Sequence, residues 1–273
     1  PHPLPHPALR ALSGGGGGGR VSLDLSPVKT LLKRAKLAYQ CAQNALIEAL
    51  NAPKNHNIKT LKESLKTTGR MDAEYYQEKY EHNEAFLKAR PHARLKELVQ
   101  IKKSIEPGSG AYKDIGVPFV RVSNLSPFGI SPSEVFLSPS AELEPLYPKE
   151  GEVLLSKDGS VGITYCVPHN LEMVLSRGVL RLAIKDKTKI NPQYLALCLN
   201  HQTTQLQAQR DSIGSIIAHW SAQKIGDAII PLLPLSVQEQ IANKLQESFN
   251  GNQQAKQLLT QAKLEVEEAL KKC

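Results

Sequence analysis

Cysteine is scarce in this 273-residue chain, and the four that occur (Cys41, Cys166, Cys198 and Cys273) are scattered, with no Cys-x-x-Cys pair and no metal-ligand spacing. Neither a metal site nor a disulfide framework is expected. With no secretory signal, the four read as reduced cytosolic thiols that fill the core or end the tail. Long apolar runs are absent too. No stretch of eighteen or more apolar residues occurs, so no transmembrane helix is predicted and the expected location is cytoplasmic, with no membrane partner.

Catalytic constellations are also missing. Metal-dependent nucleases of the common type set an acid-x-Lys triplet beside a second acid, to hold the metal and position water. No Asp-x-Lys or Glu-x-Lys occurs anywhere. The segment "SKDGSVG" (156–162) has the glycines of a phosphate loop but lacks its closing Gly-Lys-Ser/Thr, and strand-like runs flank it. A hairpin turn centred on Asp158-Gly159 fits better. "EPGSG" (106–110) and "NPQY" (191–194) faintly resemble the cofactor loop and catalytic motif of S-adenosylmethionine-dependent amino-methyltransferases. Gln193, however, stands where that chemistry needs a second proline, and Asn191-Pro192 is explained as a helix cap followed by the first helical residue. No serine, cysteine or paired-carboxylate arrangement stands out. The chain reads as a binding protein with no cofactor of its own.

What is present begins with size: 41% hydrophobic residues are enough for a sizeable core, and the length suggests one large domain or a core domain with appendages. The net charge of +8 points to an anionic partner such as nucleic acid. Residues 93–235 carry 15 basic and 13 acidic side chains, so a DNA-binding face there has to be a local cluster. The start, "PHPLPHPALRALSGGGGGGR", contains six consecutive glycines, which support neither helix nor core. Residues 1–20 are therefore expected to be an appended tag, a linker or a disordered arm.

Two long helices bracket the remainder. In residues 21–53, Ser26 suits the N-cap and Pro27 the first helical position. Val28, Leu32, Ala35, Tyr39, Ala42, Leu46 and Ala49 then alternate at spacings of four and three, the seam of a coiled coil, and Pro53 ends it. In residues 236–273, Ser236 and Glu239 form a capping box, and Ile241, Leu245, Ser248, Asn252, Ala255, Leu259, Ala262, Val266 and Ala269 repeat the pattern. Small seam residues permit close approach, and a buried asparagine would fix register. The two helices are each other's natural partners.

Residues 54–69 connect the first helix to the interior, with a short helix in "NIKTLKESLKTTGR". Residues 70–235 form the central domain. "MDAEYYQEKYEHNEAFLKA" is read as a helix capped by Asp72, and "VPFVRVSNL" and "VLSRGVLRLAI" as strands. "GEVLLSKDGSVGITYCV" is two strands around a turn, and "NPQYLALCLNHQTTQLQAQRDSIG" returns to helix. The fold class is α+β: one mixed α/β domain plus two long antiparallel coiled-coil helices.

From about residue 70 onward the order of features resembles the specificity (S) subunit of type I restriction-modification systems, in a form with a single target recognition domain. The resemblance rests on "GRMDAEYYQEKY", "GVPFVRVSNL", "GEVLLSKDGSVG", "INPQYLALCLN", the Gly214-Ser215 step and "IPLLPLSVQEQIANKL". The last is similar to the family's Pro-Leu-Pro-x-Leu-x-x-Gln run, which enters a conserved helix. The resemblance implies a non-catalytic reader of one half of a split double-stranded DNA site. It also implies docking onto methyltransferase (M) subunits, which carry the S-adenosylmethionine, and association with restriction (R) subunits. A single recognition domain implies either a half-subunit that homodimerises or one half of a longer protein. A DNA adenine methyltransferase, or a fragment of a fused restriction-methylation enzyme, is the alternative, and a coiled-coil scaffold the second.

Candidate DNA contacts are Lys102, Lys103, Arg121, Asn124, Lys157, Arg177, Gln209, Arg210, His219 and Lys224, which flank loops or turns. Arg and Lys suit phosphates and guanine edges, Asn and Gln adenine edges. Helix–helix or partner contacts are assigned to Val28, Leu32, Tyr39, Leu46, Ile241, Leu245, Asn252, Leu259 and Val266. "IIPLLPLSVQEQIANKL" (229–245) is read as the joint between the two units: prolines end a strand, leucines pin the exit, and the helix follows.

Overall fold

The computed structural model describes residues 26–50, 62, 66, 73–213 and 218–271. Several expectations lie outside the described residues: the arm at 1–20, most of the connecting segment at 54–69, the Asp72 cap, the Gly214-Ser215 step and the Leu46 side chain.

Helix α1 (Ser26–Leu50) leads to a 3-10 turn (Ala73–Tyr76) and α2 (Glu78–Lys88), so the single helix expected from residue 72 is broken at Gln77. The central domain continues through β1 (His92–Arg94), α3 (Leu95–Leu98), β2 (Val99–Lys102), β3 (Val117–Val120), β4 (Leu125–Ser126), β5 (Gly129–Ile130) and β6 (Phe136–Leu137). Then follow β7 (Val153–Ser156), β8 (Thr164–Cys166), β9 (Val174–Leu175) and β10 (Val179–Ile184). Helices α4 (Pro192–Asn200), α5 (Gln202–Asp211) and α6 (Ala222–Asp227), strand β11 (Ile229–Pro231) and the 37-residue α7 (Leu235–Lys271) complete the chain.

An antiparallel sheet, ordered β2-β10-β7-β8, supports the core, and a smaller sheet, β6-β3-β9, stands beside it. Strand β7 is buried throughout. Its period-two geometry sends Val153 and Leu155 into the main core with Tyr194, Leu195 and Trp220, and Leu154 into a second core with Val120, Leu175 and Val179. Burial on both faces explains why this segment reads as a continuous apolar run.

Two predicted strands break at an arginine. "VPFVRVSNL" splits at Arg121 into β3, a 3-10 turn (Val122–Asn124) and β4. "VLSRGVLRLAI" splits at Ser176-Arg177-Gly178 into β9, which lies parallel to β3, and β10, which is antiparallel to β2 and β7. One straight strand cannot serve both sheets. Gly178 permits the corner, because a Cβ there would lie 2.9 Å from the Val122 side chain.

Asn191 caps α4 as expected, its side chain accepting from the amides of Gln193 (2.9 Å) and Tyr194 (3.2 Å). Tyr194 is fully buried and donates its hydroxyl to the Pro231 carbonyl (2.9 Å). The "NPQY" segment is thus committed to structure.

Helices α1 and α7 pack antiparallel, burying Val28, Ala35 and Ala42 against Ile241, Leu245, Ser248 and Ala255. The Ser248 hydroxyl donates to the Ala35 carbonyl (2.6 Å), and a Cβ on Gly251 would sit 3.6 Å from that of Ala35. Small residues bring the axes together, as anticipated. The register-fixing polar residue is Ser248, however; Asn252 is only half-buried. Leu32, Leu259 and Val266, assigned to the seam, are exposed. With Ser248 opposite Ala35, Leu259 and Val266 fall past Ser26, outside the described part of that segment, while Leu32 sits off a strip narrowed by alanine and serine. Tyr39 is half-buried and meets the central domain rather than only α7.

The joint also differs in detail. Helix α7 begins at Leu235, and the Pro234 carbonyl accepts from the amides of Val237 (2.9 Å) and Gln238 (3.1 Å). Ser236 therefore lies within the first turn and is not the cap. Strand β11 pairs with β1, His92 opposite Pro231, which brings the two ends of the central domain together at the base of the helices.

Candidate nucleic-acid interface

Four chain segments lie side by side along one edge of the central domain, joined by main-chain hydrogen bonds. The end of β3 meets the β9–β10 corner where the Ser176 amide donates to the Val120 carbonyl (2.8 Å). That corner meets the β7–β8 loop through Lys157 N–H to Gly178 carbonyl (2.8 Å). The loop in turn meets residues 218–220 through Trp220 N–H to Lys157 carbonyl (2.8 Å) and Gly159 N–H to Ala218 carbonyl (2.8 Å). This stack carries Arg121, Arg177, Lys157 and His219 on neighbouring segments. Lys103 lies close by, since Ile105 bridges to Ser176.

Arg121 and Arg177 are exposed, and neither guanidinium has a carboxylate partner among the described residues. Lys103 is likewise exposed. Positive charge held out on a rigid strand-end scaffold is the local cluster that the near-balanced central charge requires. The Lys157 side chain is buried and donates to the Asp158 carboxylate (2.6 Å), which also accepts from His219. Burial pushes the Asp158 carboxyl up, but hydrogen bonds from Lys157 and His219 outweigh it and hold the group below its ordinary value. This trio cross-links two segments of the edge.

The hairpin loop between β7 and β8 is wider than a turn centred on Asp158-Gly159 alone. Gly159 (φ +68°) and Gly162 (φ +86°) both adopt left-handed conformations, and the Gly162 amide closes the loop onto the Ser156 carbonyl (2.8 Å).

The other candidates lie elsewhere or are already occupied. Lys102 pairs with the buried Glu152 (2.8 Å), which is also 3.6 Å from Arg181, in an internal ion cluster. Asn124 is engaged locally: its carbonyl accepts from the Arg121 amide (3.0 Å), and its amide donates to Ser131 Oγ (3.3 Å) and the Pro132 carbonyl (3.0 Å). It braces the Arg121 main chain, and both of its amide hydrogens are spent within the loop. Arg210 pairs with Glu84 (2.9 Å) and lies over the Tyr75 ring, Gln209 reaches Glu74 (3.4 Å), and Lys224 pairs with Asp211 (3.2 Å). Sequence spacing places a cation near a loop but does not show which acid on another segment reaches it.

Two residues with structural consequence escaped the sequence reading. Gln238, buried, accepts from the Asn191 amide (2.9 Å) and donates to the carbonyls of Lys189 (3.1 Å) and Leu233 (2.8 Å), fastening the first turn of α7 to the domain. Phe128 stands at the tip of the β4–β5 hairpin between Tyr39 and Phe249. Its signal was "SPFG", with proline and glycine at the second and fourth positions of a β-turn.

The fold and this edge define a cationic binding module mounted on an antiparallel helix pair. No cluster of His, Cys, Asp or Glu among the described residues is fit to hold a metal. The profile of the type I restriction modification DNA specificity domain matches residues 92–264, and the chain belongs to that family. The structure is similar to the type I restriction-modification S subunit from M. genitalium (14% identity, TM-score 0.55, 91% of this chain and 56% of that one). It is also similar to the HsdS subunit from Thermoanaerobacter tengcongensis (17% identity, TM-score 0.48, covering 89% and 51%). A third similar chain comes from a type I R-M system solved for its complex assembly and conformational transition (20% identity, TM-score 0.49, covering 91% and 52%). No curated protein matches in sequence. The chain thus spans about half the length of the solved chains it matches.

Proposed function

We propose that the chain is the DNA-reading part of a type I restriction-modification complex, and that it contacts one half of a split site through the edge carrying Arg121, Arg177 and Lys103. The observation that carries this reading is the pair of exposed arginines on adjoining strand ends, without a carboxylate partner among the described residues, in a chain of the specificity-domain family. Arginine presents a planar fork suited to phosphate or to guanine O6 and N7. His219 and the backbone of the β7–β8 loop flank it.

The chain acts without catalysis: methylation, with its S-adenosylmethionine, and cleavage come from M and R subunits. The second recognition unit is either another copy of this chain, related by a two-fold, or the other half of a longer chain. No described helix is long and apolar enough to cross a membrane, and the complex works in the cytoplasm, where its DNA lies.

Selection from a randomised duplex pool at low salt, with methyltransferase subunits added, tests the reading. A discontinuous motif is expected, and Arg121→Ala and Arg177→Ala each weaken binding and lower the salt slope by about one phosphate equivalent. Failure to enrich any motif contradicts it. A chain that titrates S-adenosylmethionine with measurable heat would favour the methyltransferase alternative.

A further inference from the structure

The β4–β5 hairpin leaves the central domain directly after Arg121 and ends against the helix pair. Its turn, Ser126-Pro127-Phe128-Gly129, is tight: the Ser126 hydroxyl donates to the Gly129 carbonyl (2.8 Å), and Gly129 has φ +140°. Its root is rigid, because Leu125 is buried and Asn124 bonds to both sides of the loop. At the tip, the Phe128 ring lies 5.0 Å from Tyr39 on α1 and 5.9 Å, edge-on, from Phe249 on α7. Both distances are those of favourable aromatic pairs.

The position along α7 gives this contact its leverage. Helix α7 is fastened at its base by Gln238 and by the β1–β11 pair. Gln193 adds a bond to Gln246 (3.2 Å). Farther along, Leu245 of α7 and Ala42 of α1 share the main core, with Tyr39 and Phe249 packed against it. Phe249 lies fourteen residues along from Leu235, about 21 Å at 1.5 Å per residue. A second attachment at that distance, touching both helices, fixes their direction relative to the domain.

We propose that the Phe128 hairpin is a strut that sets the angle between the DNA-reading edge and the helix pair, and that Phe128 is thereby a positioning residue for spacer length in the split site. The second half of the statement rests on the DNA-reading function proposed above; the first rests on geometry alone. Arg121, at the end of β3, and Phe128, at the hairpin tip, are linked by the Val122–Asn124 turn and β4, and Asn124 braces that link. A change in how the edge sits on DNA is therefore passed to the helices, and the helix direction is passed to the edge.

The test has two arms. For the first, spin labels are placed at Glu142→Cys on the domain and Leu264→Cys on α7, both exposed, in a chain carrying Cys41→Ser and Cys273→Ser. Electron–electron distance measurements on the unaltered background should give one narrow separation. Phe128→Ala, and independently Tyr39→Ala on the other element, should broaden it by about twofold or more while circular dichroism and the cooperative melt are retained. A width unchanged in both variants overturns the strut.

For the second arm, the full complex with methyltransferase subunits is titrated with duplexes carrying the selected half-sites at spacers one base pair shorter and longer. Phe128→Ala should leave single half-site affinity within about twofold but cut a spacer preference of about tenfold or more to about threefold or less. Undiminished spacer preference overturns the positioning role. If unaltered protein binds no duplex, the DNA-reading function fails, and the label widths still decide the strut.

Discussion

Arg121 and Arg177 carry the functional reading because each stands where a strand had to break. Sequence periodicity found the apolar stretches on either side but drew them straight. The corners arise from tertiary pairing, β9 with β3 and β10 with β7, which no local spacing encodes. Exposure of an arginine and the absence of an acid across from it are likewise three-dimensional facts, so the ten candidates could not be ranked beforehand. Asn124 illustrates this: it was proposed to read adenine, yet its amide is spent on the loop that holds Arg121. Asn124→Ala should lower stability by about 1 kcal/mol in urea unfolding, the usual net worth of an intramolecular hydrogen bond. It should also weaken DNA binding less than Arg121→Ala does.

Asp158 allows a pH test at the same scale. Its folded carboxyl titrates below its ordinary value. Its stabilising contribution is therefore fully present above the unfolded carboxylate pKa and is lost as pH falls through the lower folded one. Asp158→Asn should be less stable than the unaltered chain at pH 7, with the difference closing as pH is lowered past the usual carboxylate range. An equal gap at pH 7 and at acid pH would refute the Lys157–Asp158–His219 link. Burial also pushes the Cys166 and Cys198 thiols up to about 12. Both should resist alkylation in the native chain while the exposed Cys41 reacts, as counted by mass spectrometry.

At the scale of elements, the two long helices were the most legible feature, since a four-three repeat survives any tertiary context that keeps the helix whole. Which seam residues are buried was less so. The Ser248–Ala35 bond and the close approach of Gly251 set a register that leaves Leu32, Leu259 and Val266 outside the contact. The joint at residues 229–245 was recognised as a joint, but its fastening was not. Proline and leucine are visible as an abrupt change of texture, whereas Gln238 looks like any polar residue on a helix. It nevertheless makes three hydrogen bonds to main-chain groups in two separate segments. Gln238→Ala should cost about 1–2 kcal/mol, because it leaves a part-buried amide and two carbonyls without their partner. Hydrogen exchange should quicken first at Asn191 and the opening turn of α7. Unchanged exchange there would remove Gln238 from the joint.

For the whole molecule, the arrangement is a cationic edge, a central domain, a joint and a helix pair; in the proposed function the edge is the part that faces DNA. The fold class was readable because apolar periodicity changes from helical to strand-like and back along the chain. The relation between the parts was not, because it depends on contacts such as Phe128 with Tyr39 and Phe249, separated widely in sequence. Leu259, Leu264, Val266 and Leu270 are exposed along the far part of α7, and in the proposed function a second recognition unit or a methyltransferase subunit would cover them. Light scattering at micromolar concentration should give twice the chain mass if that unit is a second copy, and a strict monomer would exclude the homodimer. The central claim is that the Arg121–Arg177 edge reads DNA. Its most direct test is a binding isotherm on the selected half-site duplex at several salt concentrations, for unaltered protein and for the double variant Arg121→Ala, Arg177→Ala. The account predicts affinity lowered by about a hundredfold, with a salt slope shallower by about two. Equal affinity and slope for the two proteins would contradict it.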